Sequence, residues 1–178
     1  MFRARIAAVA LVALALPAAL AVQSAHSATR APSVALSPLE SGVLADINAY
    51  RQSHGLVPLH ISARLTDAAR QHSLSMAQKG YFSHSSADGS SFWKRVQHYY
   101  ASRSYRYWAV GENLLWSSPD VDASHALQMW IDSPPHRENL LTAKWREIGL
   151  SAVHVAAAPG AFQGLDVTIV TADFGVRR

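Results

Sequence analysis

The chain has 178 residues, no cysteine and a formal net charge of +4. The missing thiols exclude a cysteine nucleophile, a thiolate metal site and a disulfide framework. Setting aside two N-terminal arginines halves the charge, which is too little for a dedicated nucleic-acid binder.

The first segment predicts export. Arg3 and Arg5 form a positive start, Ile6 to Leu16 is continuously apolar, and small residues follow. Residues 1–27 are read as a signal peptide, cleaved after Ala25-His26-Ser27, with Ala19-Leu20-Ala21 as the alternative. The apolar run is shorter than the ~20 residues of a spanning helix, and no later segment would span a bilayer after cleavage. The expected location is secreted or extracytoplasmic, at the cell envelope. Residues 28–37 are small, proline-containing and aperiodic, and are read as a linker. Residues 38–178 are long enough for one domain with its own core.

Leu39, Val43, Ile47 and Tyr50 predict a first helix that stops before Gly55. Ser62 caps a second, with Leu65, Ala69, His72 and Met76 inward and Gly80 at its end. A shorter third, carrying Phe92, Val96 and Tyr99, follows the Asp88-Gly89 turn. Asp120 or Asp122 caps a fourth, which turns Leu127, Trp130 and Ile131 inward. Ser133 is expected to cap a short fifth helix opened by Pro134 and Pro135. Alternation at Ile148, Leu150 and Ala152, and again from Leu165 to Phe174, predicts two strands around a Pro159-Gly160 loop. Helices first and an antiparallel pair later indicate an α+β fold.

Three stretches carry candidate chemistry: Tyr81-Phe82-Ser83-His84, Gly111-Glu112-Asn113-Leu114 and Met129 through Arg137. With Asn48-Ala49-Tyr50-Arg51, Glu147-Ile148-Gly149 and Asp173-Phe174-Gly175 they form an ordered series over most of residues 40–175. The series resembles the CAP superfamily (the SCP domain) in its compact bacterial form. The resemblance implies an α/β/α sandwich with a central antiparallel sheet. It also implies a cleft of two histidines, His84 and His136, and a glutamate, Glu112. The second glutamate of the family's usual cleft falls here on Ser133.

Two imidazoles can bind Zn²⁺ or a similar divalent ion, with a carboxylate or water completing the shell. Metal ligation by His84 and His136, with Glu112 as ligand or as base, is one reading. The other is a polar network of the three side chains that ties loops to helices and needs no metal. The zincin motif and the nucleophile elbow of serine hydrolases are both missing.

Residues 92–108 hold seven aromatics and four cations but no acid. Tyr105, Tyr107, Trp108, Arg103 and Arg106 are read either as an amphipathic lip beside the cleft or as inward packing with solvated charges. The leading functional expectation is a binding module for a lipid or an envelope glycan. A metal-dependent hydrolase using the same cleft, and a protein-interaction module with an inert cleft, are the alternatives.

Overall fold

The computed structural model describes residues 34–178. The expected signal peptide, and the expected linker up to residue 33, therefore lie outside the described residues.

Helix α1 (Pro38–Ser53) begins with a reciprocal cap between Ser37 and Glu40 and turns Val43, Ile47 and Arg51 inward. The buried Arg51 guanidinium donates to the carbonyls of Val57 (3.1 Å), Leu140 (2.6 Å) and Thr142 (3.2 Å). It thereby supplies donors to two loop carbonyls and to the last carbonyl of a later helix. A two-residue strand, β1 (His60–Ile61), leads into α2 (Ala63–Lys79), which ends at Gly80 in the left-handed region at φ 67°. Next come α3 (Phe92–Tyr99), β2 (Trp108–Ser117), α4 (Ala123–Asp132) and α5 (Pro134–Leu140). Asp122 caps α4 by accepting from the His125 N–H at 2.8 Å. β3 (Glu147–Val155) and β4 (Val167–Arg177) complete the chain, joined through a 3-10 turn at Gly160–Phe162.

The sheet order is β1-β3-β4-β2. The three long strands are antiparallel, as expected, and β1 adds a short parallel edge against β3. Strand β4 lies inside and is buried from Val167 to Val176. One face of it (Val170, Ala172, Phe174, Val176) packs against Val43, Ile47, Trp130 and Leu140 from α1, α4 and α5. The other face (Val167, Ile169) meets Met76 of α2 and Phe162. Helices therefore cover both sides of the sheet, giving the α/β/α sandwich.

Strand β2 has no counterpart among the elements expected from the sequence. Both of its faces are buried over Gly111–Leu115, and glycine, glutamate and asparagine interrupt its apolar run. Without alternation of polar and apolar residues, the two-residue period carries no strand signal.

Two close approaches fix α2. A Cβ on Gly149 would lie 2.0 Å from the Leu65 carbonyl carbon, so helix and strand touch backbone to backbone there. At the other end, the Ala161 N–H donates to the Gly80 carbonyl at 2.9 Å, and a Cβ on Gly160 would sit 2.1 Å from that oxygen. Among the described residues, no helix is long and apolar enough to cross a membrane.

Gly149→Ala should force α2 off β3 and cost about 1–3 kcal/mol of stability. Urea denaturation reads this directly; an unchanged midpoint would mean that the contact tolerates a methyl group.

Candidate functional site

Strand β2 is an edge strand, and alternation sends its successive side chains to opposite faces of the sheet. Glu112 faces the α2/α3 side and is almost fully buried, with 1% of its side chain exposed. Opposite it in register stands Asp173 of β4, itself wholly buried. Two carboxyls so placed repel each other and lose their hydration. Arg95 of α3 supplies the compensation: its Nη2 donates to Glu112 Oε2. The other oxygen, Oε1, is taken by Nδ1 of His84 from the α2–α3 loop at 2.8 Å. A carboxylate only accepts, so Nδ1 of His84 carries the proton.

Burial raises the Asp173 carboxyl well above the usual carboxylate range, and the Glu112 charge adds to it. Neither Asp173 oxygen has a hydrogen-bond partner among the described residues. His72 lies fully buried on α2, as its inward position predicts, with Nε2 2.8 Å from the Ser83 carbonyl. Burial lowers its pKa from the ordinary 6.5 to about 4, against a partial opposing effect of Glu112.

Asn113 faces the other side. Its Nδ2 donates to the His136 carbonyl at 3.0 Å, and its Oδ1 accepts from Asn139 at 2.9 Å. These bonds dock α5 on the strand and bring His136 to the cleft. The ring centroids of His84 and His136 are 6.4 Å apart. Burial, followed by the His84 charge, lowers the His136 pKa. Ser133 sits at the start of α5 as expected, but its hydroxyl makes no backbone cap. It bonds His136 Nδ1 at 2.8 Å instead and so orients that ring.

The structure thus gathers His84, Glu112 and His136 around one cleft of about 400 Å³, which Phe92, Pro135 and Asn139 also line. Each histidine has Nδ1 engaged, leaving Nε2 as the free ring nitrogen. The described residues contain no cluster of three or more His, Asp or Glu side chains suited to hold a metal ion. Sequence reasoning misses Arg95 and Asp173 as the partners of Glu112. In the sequence Arg95 stands out only as a cation of an aromatic segment.

That segment is divided. Phe92 opens α3 at the cleft, whereas Arg103, Tyr105, Arg106 and Tyr107 are exposed beyond the other end of this helix. Trp108 begins β2, half-buried, with Nε1 donating to the Tyr100 carbonyl at 2.8 Å. It is four residues, ~13 Å of strand, from Glu112. The cations packed on Tyr105 and Tyr107 are Arg177 (4.9 Å) and Arg178 (5.0 Å).

A family model described as "CAP: Cysteine-rich secretory protein family" matches residues 44–173. The chain belongs to the CAP family. It does so without any cysteine. The uncharacterized protein YkwD of Bacillus subtilis (strain 168) is 31% identical over 131 residues, 74% of this chain and 48% of that protein. The uncharacterized membrane protein YlbC of the same strain is 29% identical, over 62% of this chain and 30% of that one. This chain thus spans half or less of each of these two relatives. Among solved structures, an extracellular protein containing an SCP domain from Bacillus anthracis str. Ames superposes with TM-score 0.58 at 27% identity, covering 82% of this chain and 45% of that one. An outer surface protein from Borrelia burgdorferi reaches 0.59 at 20% identity, covering 76% and 90%, and speaks for the fold alone.

Arg95→Met should strand the Glu112 charge in the core and cost roughly 3–5 kcal/mol. Arg95→Met, Glu112→Leu should recover much of that loss in the same denaturation assay. His72 adds a pH effect. Its folded value is depressed, so its contribution is complete above about 6.5 and is lost as pH falls toward about 4. The stability gap between the parent and His72→Gln should narrow across that window.

Proposed function

We propose that this CAP protein is an exported binding module whose cleft takes an envelope glycan and does not cleave it. The occupation of Glu112 carries this reading. Both of its oxygens are engaged, by Arg95 and by His84, and the side chain is sealed from solvent. A general base must reach the proton that it abstracts, directly or through one water. A hydrolase using Glu112 would first have to break its pair with Arg95.

The accessible groups suit a sugar ring. Phe92 and Pro135 offer apolar walls for C–H faces, and the free Nε2 atoms of His84 and His136 face hydroxyl chemistry. The volume of about 400 Å³ is at the small end for ligand pockets. That favours a short glycan segment over an acyl chain. Export is supported by the N-terminal pattern of Arg3, Arg5 and the apolar run after them, and by the extracellular relative from Bacillus anthracis.

A divalent ion such as Zn²⁺ would be held by Nε2 of His84 and of His136. The Nδ1 bonds to Glu112 and Ser133 are the outer contacts that orient such ligands. Bound there, it would supply a Lewis acid for a sugar oxygen.

Cosedimentation with purified cell-wall sacculi tests the cleft. Phe92→Ala should weaken binding about 2- to 12-fold, the range of one aromatic contact. Equal binding would remove the cleft from the reading, as would released fragments that vanish in Glu112→Gln. Calorimetric titration with Zn²⁺ tests the imidazoles separately. Affinity should be weak and should be lost on acidification, because a protonated ring has no lone pair to give. His84→Ala, His136→Ala should abolish it.

A further inference from the structure

Beyond the far end of α3, away from the cleft, Arg64, Arg103, Ser104, Tyr105 and Arg177 line a second pocket of about 460 Å³. We propose that it binds a phosphate-type anion, carried by a phosphomonoester or a phosphodiester.

Three arginines line it, and of these only Arg177 has an acid within ion-pair distance among the described residues. Arg177 packs on two rings, its guanidinium 4.1 Å from that of Tyr100 and 4.9 Å from that of Tyr105. The acid beside it is Glu147, 3.8 Å from its Nε, and Glu147 already accepts from the Tyr100 hydroxyl. Arg64 and Arg103 form no ion pair among the described residues, and residues 1–33 contain no acid.

Arg64 is also placed against its own helix. It occupies the first turn of α2, which has no acidic residue, and the positive end of the helix dipole disfavours a cation there. An incoming anion would offset that cost. Ser104, also in the lining, holds a left-handed φ of 74° between Arg103 and Tyr105.

Guanidinium forks match the paired oxygens of phosphate and bind them bidentately. The exposed Tyr105 ring beside them would cover the apolar carbons next to the ester. The pocket is separate from the cleft. Arg177 pairs in register with Trp108, and Glu112 lies four residues, ~13 Å, along the strand.

Calorimetry with inorganic phosphate and glycerol 3-phosphate, and cosedimentation with phosphatidylcholine vesicles with and without phosphatidylglycerol, test this at low and high salt. The parent should bind a soluble phosphate, or the anionic vesicles over the neutral ones, and high salt should weaken it. Whichever arm responds names the source of the phosphate. Arg64→Gln, Arg103→Gln should lose on the order of tenfold or more. Both residues are exposed, so its thermal transition should stay in place; Arg103→Gln alone serves if it does not. No binding of any probe by the parent, or equal binding by the variant, overturns the proposal. Sacculus binding through Phe92 is a separate readout on the same proteins, so either idea can fail alone.

Discussion

A charge sealed against the sheet, Glu112 beneath Arg95, dictates where the surrounding pieces can go. Two carboxyls opposed across β2 and β4 are untenable without a cation, and the cation comes from α3. That helix must therefore lie across this face of the sheet, with its first residue, Phe92, at the cleft. The α2–α3 loop is drawn in with it. Arg95 also donates to the His84 carbonyl at 3.3 Å and to the Ser86 hydroxyl at 3.1 Å. The loop that carries His84 is thus held by the same guanidinium that neutralises the partner of the His84 ring. A buried ion pair of this kind adds little net stability over an apolar substitute, but it tolerates no half-measures. Its value here is positional.

The second histidine arrives by another route. Glu112 and Asn113 are neighbours, so the pleat sends them to opposite faces. Glu112 recruits His84 from the α2/α3 layer; Asn113 recruits His136 from the α4/α5 layer. The two imidazoles can meet because β2 is the last strand, and the two layers approach each other around its edge. Long strand edges left bare invite pairing with other chains. Here α5 and the His84 loop flank the middle of that strand, and the cleft lies between them.

Much of this is legible in the chain itself. Apolar spacing marks the helices, with Gly80 at the end of α2 and Asp122 at the start of α4. The ordered motifs place His84, Glu112 and His136 together. What escapes notice follows from burial on both faces. Strand β2 has no polar side to alternate with, so in the sequence it is a motif without an element. Arg95 reads there as one of four surface cations. Only the fold shows that it is 7% exposed and points at Glu112. Position favours a cap at Ser133, yet the nearby imidazole competes successfully for its hydroxyl. Proximity in sequence groups Tyr105 and Tyr107 with Arg103 and Arg106, whereas strand pairing brings Arg177 and Arg178 to them.

The contact of Gly80 with Gly160 bears on how this cleft could be remodelled. The end of α2 is pinned by a main-chain contact with a hairpin loop distant in sequence, beside the packing of Met76 on Phe162. The segment that follows therefore leaves from a fixed point, and the Tyr81 hydroxyl, donating to Ser75 at 3.0 Å, ties its first residue back to the helix. It is caught again at Ser83, whose carbonyl meets His72, and at His84 and Ser86, which meet Arg95. Between Ala87 and Ser90 no comparable bond to the body of the protein occurs among the described residues; the bonds there are local, within the turn. Those four positions are where foreign sequence can be grafted beside the cleft while the histidine keeps its place.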